Sequence, residues 1–327
     1  MTKSPVRFIF VIPFYNQDEY IKECLKSIEI NSHEDIKIIV INNSDRQTDI
    51  NQIYKEYKNM TIINTNKNLG FSMACNLGAK IAIQRGAEYI ICLNQDTIIC
   101  ERFLSEIIKP FMEKEDIVLA APIHYTYDGR SIEPIFIRWY LTQCPDLIVD
   151  ALDCKLKTFY EVEYISGACF AIKTEFIKKY GFFDPIYFMY SEDEDLCRRV
   201  RYLGYRIVIV PRAKFRHYHS HTQADEKDKR RIRLWRRNST AIFLLKNIRE
   251  PIWKAMARLI YNYLIDYVSY IMRFRIGSIL INMWWDMKLI YLFPKILKSR
   301  KNELRYINSK LDFPREEKKC GSKGGIL

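Results

Sequence analysis

A chain of 327 residues with 48% hydrophobic residues has room for one large domain or two ordinary ones, and it is too apolar to be intrinsically disordered. Its net charge of +13 lies entirely in the C-terminal part: residues 1–197 carry 21 Lys and Arg against 29 Asp and Glu, residues 198–250 carry 16 against 4, and residues 251–327 carry 15 against 6. The acidic N-terminal part would repel a nucleic-acid backbone, whereas the basic part calls for an anionic partner such as a phosphate-bearing ligand or an anionic lipid. The nine cysteines form no CxxC pair and several sit in apolar runs. They fit reduced, buried thiols better than disulfides or a zinc site. The N-terminus leads straight into an apolar strand without the profile of a signal peptide, so a cytoplasmic location is expected.

In chain order, FIFVIP (Phe8–Pro13) reads as a buried strand, Glu19–Ile30 as an amphipathic helix and IKIIVI (Ile36–Ile41) as a second strand. Thr61–Ile63 is a short third strand, Asn76–Arg85 a helix and YIICL (Tyr89–Leu93) a fourth strand. β-branched runs separated by helices indicate a parallel sheet covered on both faces, with ligands at the carboxyl ends of its strands. Pro13 to Asn16, Asn42 to Asp45 and Asn94 to Asp96 each follow a strand end and are expected to converge on one crevice. Ile117–Ala121 and Glu163–Ile172 are further strands, the latter containing Ser166, Gly167 and Ala168, small residues that let a ligand approach the backbone. Arg206–Val210 is another strand, closed by Pro211, and Asp225–Glu250 is a charged helix.

Two apolar, aromatic helices follow, about Ile252–Met272 and Gly277–Lys298. Arg258, Asp266, Asp286 and Lys288 interrupt them, so neither offers the roughly 18 apolar residues of a membrane span. Trp284, Trp285, their tyrosines and flanking basic residues suit helices lying in a membrane interface. Packing on the domain or on a second copy, giving a homo-oligomer, is the other reading. The tail after Phe313 is polar and expected to be disordered. The expected organisation is therefore 1–222 catalytic, 223–250 a basic helix completing it, 251–312 amphipathic helices and 313–327 tail.

Chemistry concentrates at two acidic places. Asp96 ends an apolar strand, where a lone carboxylate can serve as a hard-cation ligand, Mg²⁺ taking one or two protein carboxylates plus phosphate and water. Glu192, Asp193, Glu194 and Asp195 follow an aromatic run, and acids embedded among aromatics indicate a site more than a surface. Capping a helix through its dipole explains one or two acids, less naturally four. His217, His219 and His221 share one face of a strand, but a three-histidine zinc site is disfavoured because neighbouring same-face histidines rarely converge on one ion.

Six blocks in order, VIPFYNQDEYIKECLKSI, VINNSD, NTNKNLGFSMACNLG, LNQDT, SGACFAIKTEFIKKYGFFDPIYFMYSEDEDLCRRVRYLGYRI and PRAKFRHYHS, resemble the inverting family 2 glycosyltransferases, especially their rhamnosyltransferase-like members. The likeness covers residues 7–221 and weakens toward Asn247. It implies an α/β GT-A fold with a mostly parallel central sheet, helices on both faces and a C-terminal helical extension. It further implies a Mg²⁺ or Mn²⁺ cofactor held by Asp96 and His217, and Asp193 as the base that deprotonates the acceptor hydroxyl. Pro13, Tyr15, Asn42, Asn68, Gly70, Phe71, Asn76, Asn94, Gln95, Asp96, Gly167 and Arg237 match nucleotide-sugar positions, with Glu192 and Asp195 on the acceptor side. Two positions depart from the family pattern: Asn42 and Asn94 stand where Asp is common, leaving metal ligation to Asp96 and His217.

The resemblance implies transfer of a sugar, rhamnose from dTDP-rhamnose first, to a glycan or lipid-diphosphate-linked acceptor, by an enzyme peripheral on the inner face of an anionic membrane. A UDP donor of galactose, glucose, galactofuranose or N-acetylhexosamine is the alternative. Like-charged neighbours are expected to raise the pKa of Asp193 toward the working range. Two other classes are weaker. A nucleic-acid surface built on Lys227–Arg237 conflicts with the acidic lobe, and a nucleotide-sugar pyrophosphorylase would need a Gly-rich loop that VIPFYNQDEY lacks.

Overall fold

The computed structural model describes residues 8–16, 18–31, 36–45, 50, 57, 59–140, 142–218 and 226–311. His219, His221 and the tail 313–327 lie outside the described residues.

Strands β1 (Phe8–Phe14), β2 (Lys37–Asn42), β3 (Met60–Asn64) and β4 (Tyr89–Leu93) pair in parallel, in the spatial order β3-β2-β1-β4. Helices α1 (Asp18–Ile30) and α2 (Phe71–Gln84) alternate with them. The residue type follows from the covering: Phe10, Ile12, Val40 and Ile91 face one way against Ile21, Cys24, Leu25 and Ile28 of α1. Val11, Ile39, Ile41 and Cys92 face the other way against Ala74, Cys75 and Ala79 of α2. With both faces buried, period-two polarity disappears and the strands read as continuous apolar runs.

Beyond β4 come the short β5 (Thr97–Ile99), helices α3 (Phe103–Ile107) and α4 (Lys109–Glu113), β6 (Ile117–Thr126), helices α5 (Pro134–Tyr140) and α6 (Asp146–Leu152), β7 (Tyr160–Val162) and β8 (Cys169–Lys173). Helices α7 (Thr174–Tyr180) and α8 (Glu192–Tyr202) then lead to β9 (Arg206–His217). The sheet continues β4-β8-β6-β9-β5, with β7 also on β9, giving nine strands among the described residues. Strand β8 runs antiparallel to both β4 and β6, whereas β6 and β9 are parallel. The polar and aromatic segment between β6 and β8 forms α5 and α6, which cover the sheet with Phe136, Tyr140 and Leu147.

Several boundaries differ from those read from sequence: α2 already starts at Phe71, β6 runs on to Thr126, and the charged helix ends at Lys246. Residues 163–168 are a loop rather than the start of a strand, and pairing begins only at Cys169. Pro211 does not end β9. The register against β6 jumps from Pro122↔Val210 to Ile123↔Lys214, so the proline, which has no N–H to donate, sits in a bulge and the strand resumes to His217. The last helix runs through Pro294 to residue 311 instead of ending near Lys298.

Three C-terminal helices, α9 (Glu226–Lys246), α10 (Ile252–Met272) and α11 (Ile276–Leu311), form a separate small core of Ala241, Ile242, Leu245, Ala255, Leu289 and Ile296 around Tyr187. Arg237 pins them together: its Nε and Nη2 donate to the two oxygens of Asp286, both at 2.9 Å, and Nη1 donates to Asp266. The eight described cysteines are free.

Candidate active site

The carboxyl ends of β1 and β4, the loop before β8, the start of α8 and one face of α9 enclose a cavity of about 1020 Å³. Its floor is tied across the two parallel strands. Tyr15 N–H donates to Gln95 Oε1 at 2.5 Å and Gln95 Nε2 donates back to the Tyr15 carbonyl at 3.2 Å. Gln95 thus braces the two strand ends while lining the cavity with Pro13, Tyr15 and Asn94.

Asp96 and His217 meet on this floor. His217 Nε2 lies 3.3 Å from Asp96 Oδ1, and both side chains are buried at the cavity wall. Their approach follows from strand pairing, since β5 and β9 are antiparallel with Thr97 opposite His217, and Tyr218 N–H donates to the Asp96 carbonyl at 3.0 Å. A carboxylate and an imidazole nitrogen are a suitable donor pair for Mg²⁺ or Mn²⁺ with phosphate oxygens completing the shell. Asn94 Oδ1, buried without a protein partner, is a third oxygen at the same wall.

Asp193 comes from the opposite element and is bolted to the same floor. Its Oδ2 accepts the Gly167 N–H at 2.7 Å and its Oδ1 the Glu194 N–H at 2.9 Å. One residue on from Gly167, the Ala168 carbonyl accepts the Asn94 N–H at 2.9 Å. A Cβ on Gly167 would sit 3.2 Å from Asp193 Oδ2, so glycine lets the backbone reach the carboxylate. Tyr190 and Ser191, at φ 72° and 60°, hold left-handed backbone ahead of α8, a strained entry of the kind that accumulates at functional sites.

The four consecutive acids have unlike surroundings. Burial raises the pKa of Asp193, while the Gly167 and Glu194 N–H groups oppose it; the neighbouring acids, expected from sequence to supply the shift, are not its cause. Burial, then the charge of Asp193, pushes the Glu192 carboxyl well above its usual range, and Glu192 Oε2 has no protein partner. Glu192 and Glu194 line the cavity with Asp193. Asp195 does not, contrary to its expected acceptor-side place: it turns into the protein, where Arg198 and Lys246 donate to it at 2.7 Å each.

Of the expected nucleotide-sugar residues, Asn68, Gly70, Phe71 and Gly167 also line the cavity. Gly70, at φ 83°, touches Phe188 so closely that a Cβ would lie 2.4 Å from its carbonyl oxygen. Asn42, Asn76 and Arg237 lie elsewhere. Asn42 Nδ2 donates to Asn64 Oδ1 on the neighbouring strand at 2.7 Å, and Asn43 takes the cavity position, accepting the Leu69 N–H at 2.7 Å. Asn76 is spent on the Phe183 backbone, donating to its carbonyl at 2.8 Å and accepting its N–H at 3.0 Å. Arg237 faces α10 and α11, and the cations at the cavity are Arg231 and Arg236.

Those arginines, with Asp228, Ile232, Trp235 and Thr240, make one stripe of α9 at spacings of three and four. That periodicity was available in the sequence. Arg231 lies over the Trp235 ring at 4.8 Å, Arg236 over Tyr190 at 4.6 Å, and Trp235 is 5.1 Å from Phe188. On the far wall, Ile135, Phe136 and Trp139 come from α5. His124 and Glu133, missed in the sequence, add a buried pair with Nδ1 and Oε2 3.7 Å apart, and burial lowers the histidine pKa.

A strand-end cleft with a carboxylate and imidazole on its floor and a second carboxylate bolted beside them is the layout of a GT-A glycosyltransferase. The family model described as Glycosyl transferase family 2 matches residues 9–181, and the chain belongs to this family. In two strains of Mycobacterium tuberculosis, N-acetylglucosaminyl-diphospho-decaprenol L-rhamnosyltransferase is 38% identical over 61 residues, covering 19% of this chain and 20% of the relative. The chain therefore matches only a fifth of that protein's length. A crystal structure of GalNAc-T7 with UDP, GalNAc and Mn²⁺ superposes with a TM-score of 0.52 at 15% identity, over 66% of this chain and 44% of that one. That likeness bears on the fold alone. A structure of S. aureus TarS with UDP gives a TM-score of 0.48 at 15% identity, over 78% and 70% of the two chains.

The raised pKa of Glu192 has a thermodynamic consequence. A carboxyl whose folded pKa lies above its unfolded one carries no penalty below the unfolded value of about 4.3. It costs stability as pH rises through the folded value. Glu192→Gln should therefore raise Tm at neutral pH by a few degrees, and the gain should vanish near about pH 4 in parallel thermal melts. An equal gain at both pH values would contradict the assigned ionisation.

Proposed function

We propose that this glycosyltransferase is metal-dependent and inverting, moving a sugar from a nucleotide-sugar donor to a hydroxyl of a glycan or lipid-diphosphate-linked glycan during cell-surface polysaccharide synthesis. The observation that carries the reading is the short hydrogen-bonded path from Asp193 through Gly167 and Ala168 to Asn94, two residues from Asp96. With both carboxylates lining one cavity, it supports reading Asp193 as the proton acceptor and Asp96 as a cation ligand. A divalent cation held by Asp96 and His217 would compensate the charge of the departing diphosphate.

The chain's own residues supply the rest. Asp193 Oδ takes the proton of the acceptor hydroxyl as its oxygen bonds to the sugar C1 and the bond from C1 to the diphosphate oxygen breaks, a single displacement that inverts the anomeric centre. A buried carboxylate with a raised pKa is a better base near neutrality than a solvated one. Its two N–H donors fix the direction from which it works. Asn43, Asn68 and Gly70 form the nucleotide side, with Tyr15 OH donating to Asp45 Oδ2 at 2.9 Å. Arg231 and Arg236 offer positive charge to phosphate from α9. Rhamnose is the sugar favoured by the mycobacterial relative's name, and dTDP-rhamnose is the donor that the sequence resemblance puts first.

We also propose that α10 and α11 rest on the inner face of an anionic membrane. Trp253, Leu264, Ile271, Phe274, Ile276 and Ile290 are more than half exposed, and Lys288 lies 4.0 and 3.7 Å from the rings of Trp284 and Trp285. No described helix is long and apolar enough to cross a membrane. An apolar surface of this extent, flanked by basic residues, suits the interface of acidic lipids.

Asp193→Asn should lower turnover by about 10²–10⁴-fold while leaving donor binding intact, and Asp96→Ala should remove the metal dependence of donor binding. Thermal shifts with a panel of dTDP- and UDP-sugars, with and without Mn²⁺, identify the donor. Stabilisation by UDP-sugars alone would overturn the rhamnose assignment, and full turnover by Asp193→Asn would overturn the base. For the membrane surface, the protein should sediment with phosphatidylglycerol vesicles and not with phosphatidylcholine ones, and Phe274→Glu should weaken this about tenfold. No sedimentation together with a concentration-dependent dimer would mean that the surface serves a second copy.

A further inference from the structure

Lys246 ends α9 with 1% of its surface exposed. Its Nζ lies 2.6 Å from Asp184 Oδ2, 2.7 Å from Asp195 Oδ2 and 2.9 Å from Glu303 Oε1. The three carboxylates come from three places: the loop before α8, the first turn of α8, and α11. Their oxygens lie within 4.8 Å of one another, close enough for a metal ion, but the ammonium fills that position. Arg198 Nη2 donates to Asp195 Oδ1 at 2.7 Å, Tyr187 OH to the same oxygen at 3.2 Å, and Ser299 of α11 to Asp184. Burial works against the ammonium, yet Asp195, Glu303 and Asp184 together hold the Lys246 pKa above its usual value.

Taking Asp193 as the base, as read above, we propose that Lys246 is a positioning residue for it, acting through Asp195, and that Glu303 makes this positioning depend on the docking of α11. Asp193 and Asp195 share the first turn of an 11-residue helix. That turn has no side-chain cap, and Ser191 at its cap and Tyr190 before it are both in left-handed backbone. Asp193 is held directly by the Gly167 and Glu194 N–H groups, and Asp195 by Arg198 of the same helix. What reaches this strained, uncapped turn from α9 is Lys246 on Asp195, and Ser239 Oγ donating to the Met189 carbonyl at 2.7 Å.

A bolt needed only for stability would be better made of apolar side chains, which often replace buried ion clusters at no loss. What the cluster adds is geometry. An ammonium that must satisfy three carboxylates fixes the loop, α8 and α11 relative to one another, and the base two residues from Asp195 inherits that position. The helices proposed to rest on the membrane are thereby coupled to the catalytic turn.

Lys246→Met would leave Asp184 and Glu303 without their cation and Asp195 with Arg198 alone, and is expected to unfold the enzyme, so the test is Glu303→Gln, which keeps shape and removes one charge. In the full chain, hydrogen exchange at the amides of Gly167, Glu194 and Asp195 should accelerate at least about tenfold while the β1 amides of Val11 and Ile12 stay protected. With the donor found in the nucleotide panel, kcat should fall about 10- to 100-fold with KM for the donor nearly unchanged. Unchanged exchange at those three amides, or unchanged kcat in a variant with lowered Tm, would reduce the cluster to a stability element and overturn the proposal. The exchange arm needs no substrate and Asp193→Asn tests the base directly, so failure of one reading is distinguishable from failure of the other.

Discussion

Strand β8 runs against both of its neighbours, and the site depends on that reversal. In a sheet with every strand parallel, the segment entering β8 would lie at the end opposite the carboxyl ends of β1 and β4. Because β8 is antiparallel, with Cys169 paired to Leu93, the loop of Ser166, Gly167 and Ala168 arrives beside the loop of Asn94, Gln95 and Asp96. Parallel strands present their carboxyl ends to a ligand; one reversed strand adds an amino-terminal loop to the same edge. The Gly167 N–H then reaches the Asp193 carboxylate and the Ala168 carbonyl anchors the loop of Asn94, Gln95 and Asp96. Glycine at 167 is what this convergence requires, since a side chain there would press on the Asp193 carboxylate.

The acids of the α8 first turn illustrate how little charge density says about function. Four carboxylates in a row would repel one another if all shared one environment. The helix gives each different surroundings: Glu192 is buried with an orphaned oxygen, Asp193 is held by two N–H groups, Glu194 lines the cavity, and Asp195 lies beneath the basic side chains of Arg198 and Lys246. The basic excess of the C-terminal part is used inward as well as outward. Arg237 and Lys246 serve as internal counter-ions, and Arg231 and Arg236 face the cavity. Net charge by segment pointed to an anionic partner, and part of that basic charge is met by the protein's own acids.

The continuous apolar runs of β1, β2 and β4 declared a sheet covered on both faces, and the strand-end residues Tyr15, Gln95 and Asp96 do share a crevice. Legibility failed where one residue of phase decides the outcome. Asn42 and Asn43 are chemically alike, and only the end of β2 determines which one turns to the cavity. Arg236 and Arg237 are adjacent on a helix, about 100° apart, so one meets ligand space and the other a tyrosine ring at 3.8 Å. Asp195 was unreadable for another reason: its partner Lys246 lies 51 residues downstream, and local spacing carries no trace of so distant a contact.

Distance along the chain also bears on why the C-terminal helices belong to the cavity. The family match ends at residue 181, before Asp193, the histidine on the floor and the arginine stripe. A core that stopped there would leave the cavity without its opposite wall. The wall is α9, held both by the small apolar core around Tyr187 and by ionic contacts: Arg237 to Asp286 and Asp266, and Lys246 to Asp184, Asp195 and Glu303. Ionic contacts specify direction more strictly than apolar packing, which tolerates sliding and repacking. The small apolar core around Tyr187 can therefore supply adhesion, while the buried cations fix the direction in which α9 meets the cavity it shares with Asp193 and Asp96.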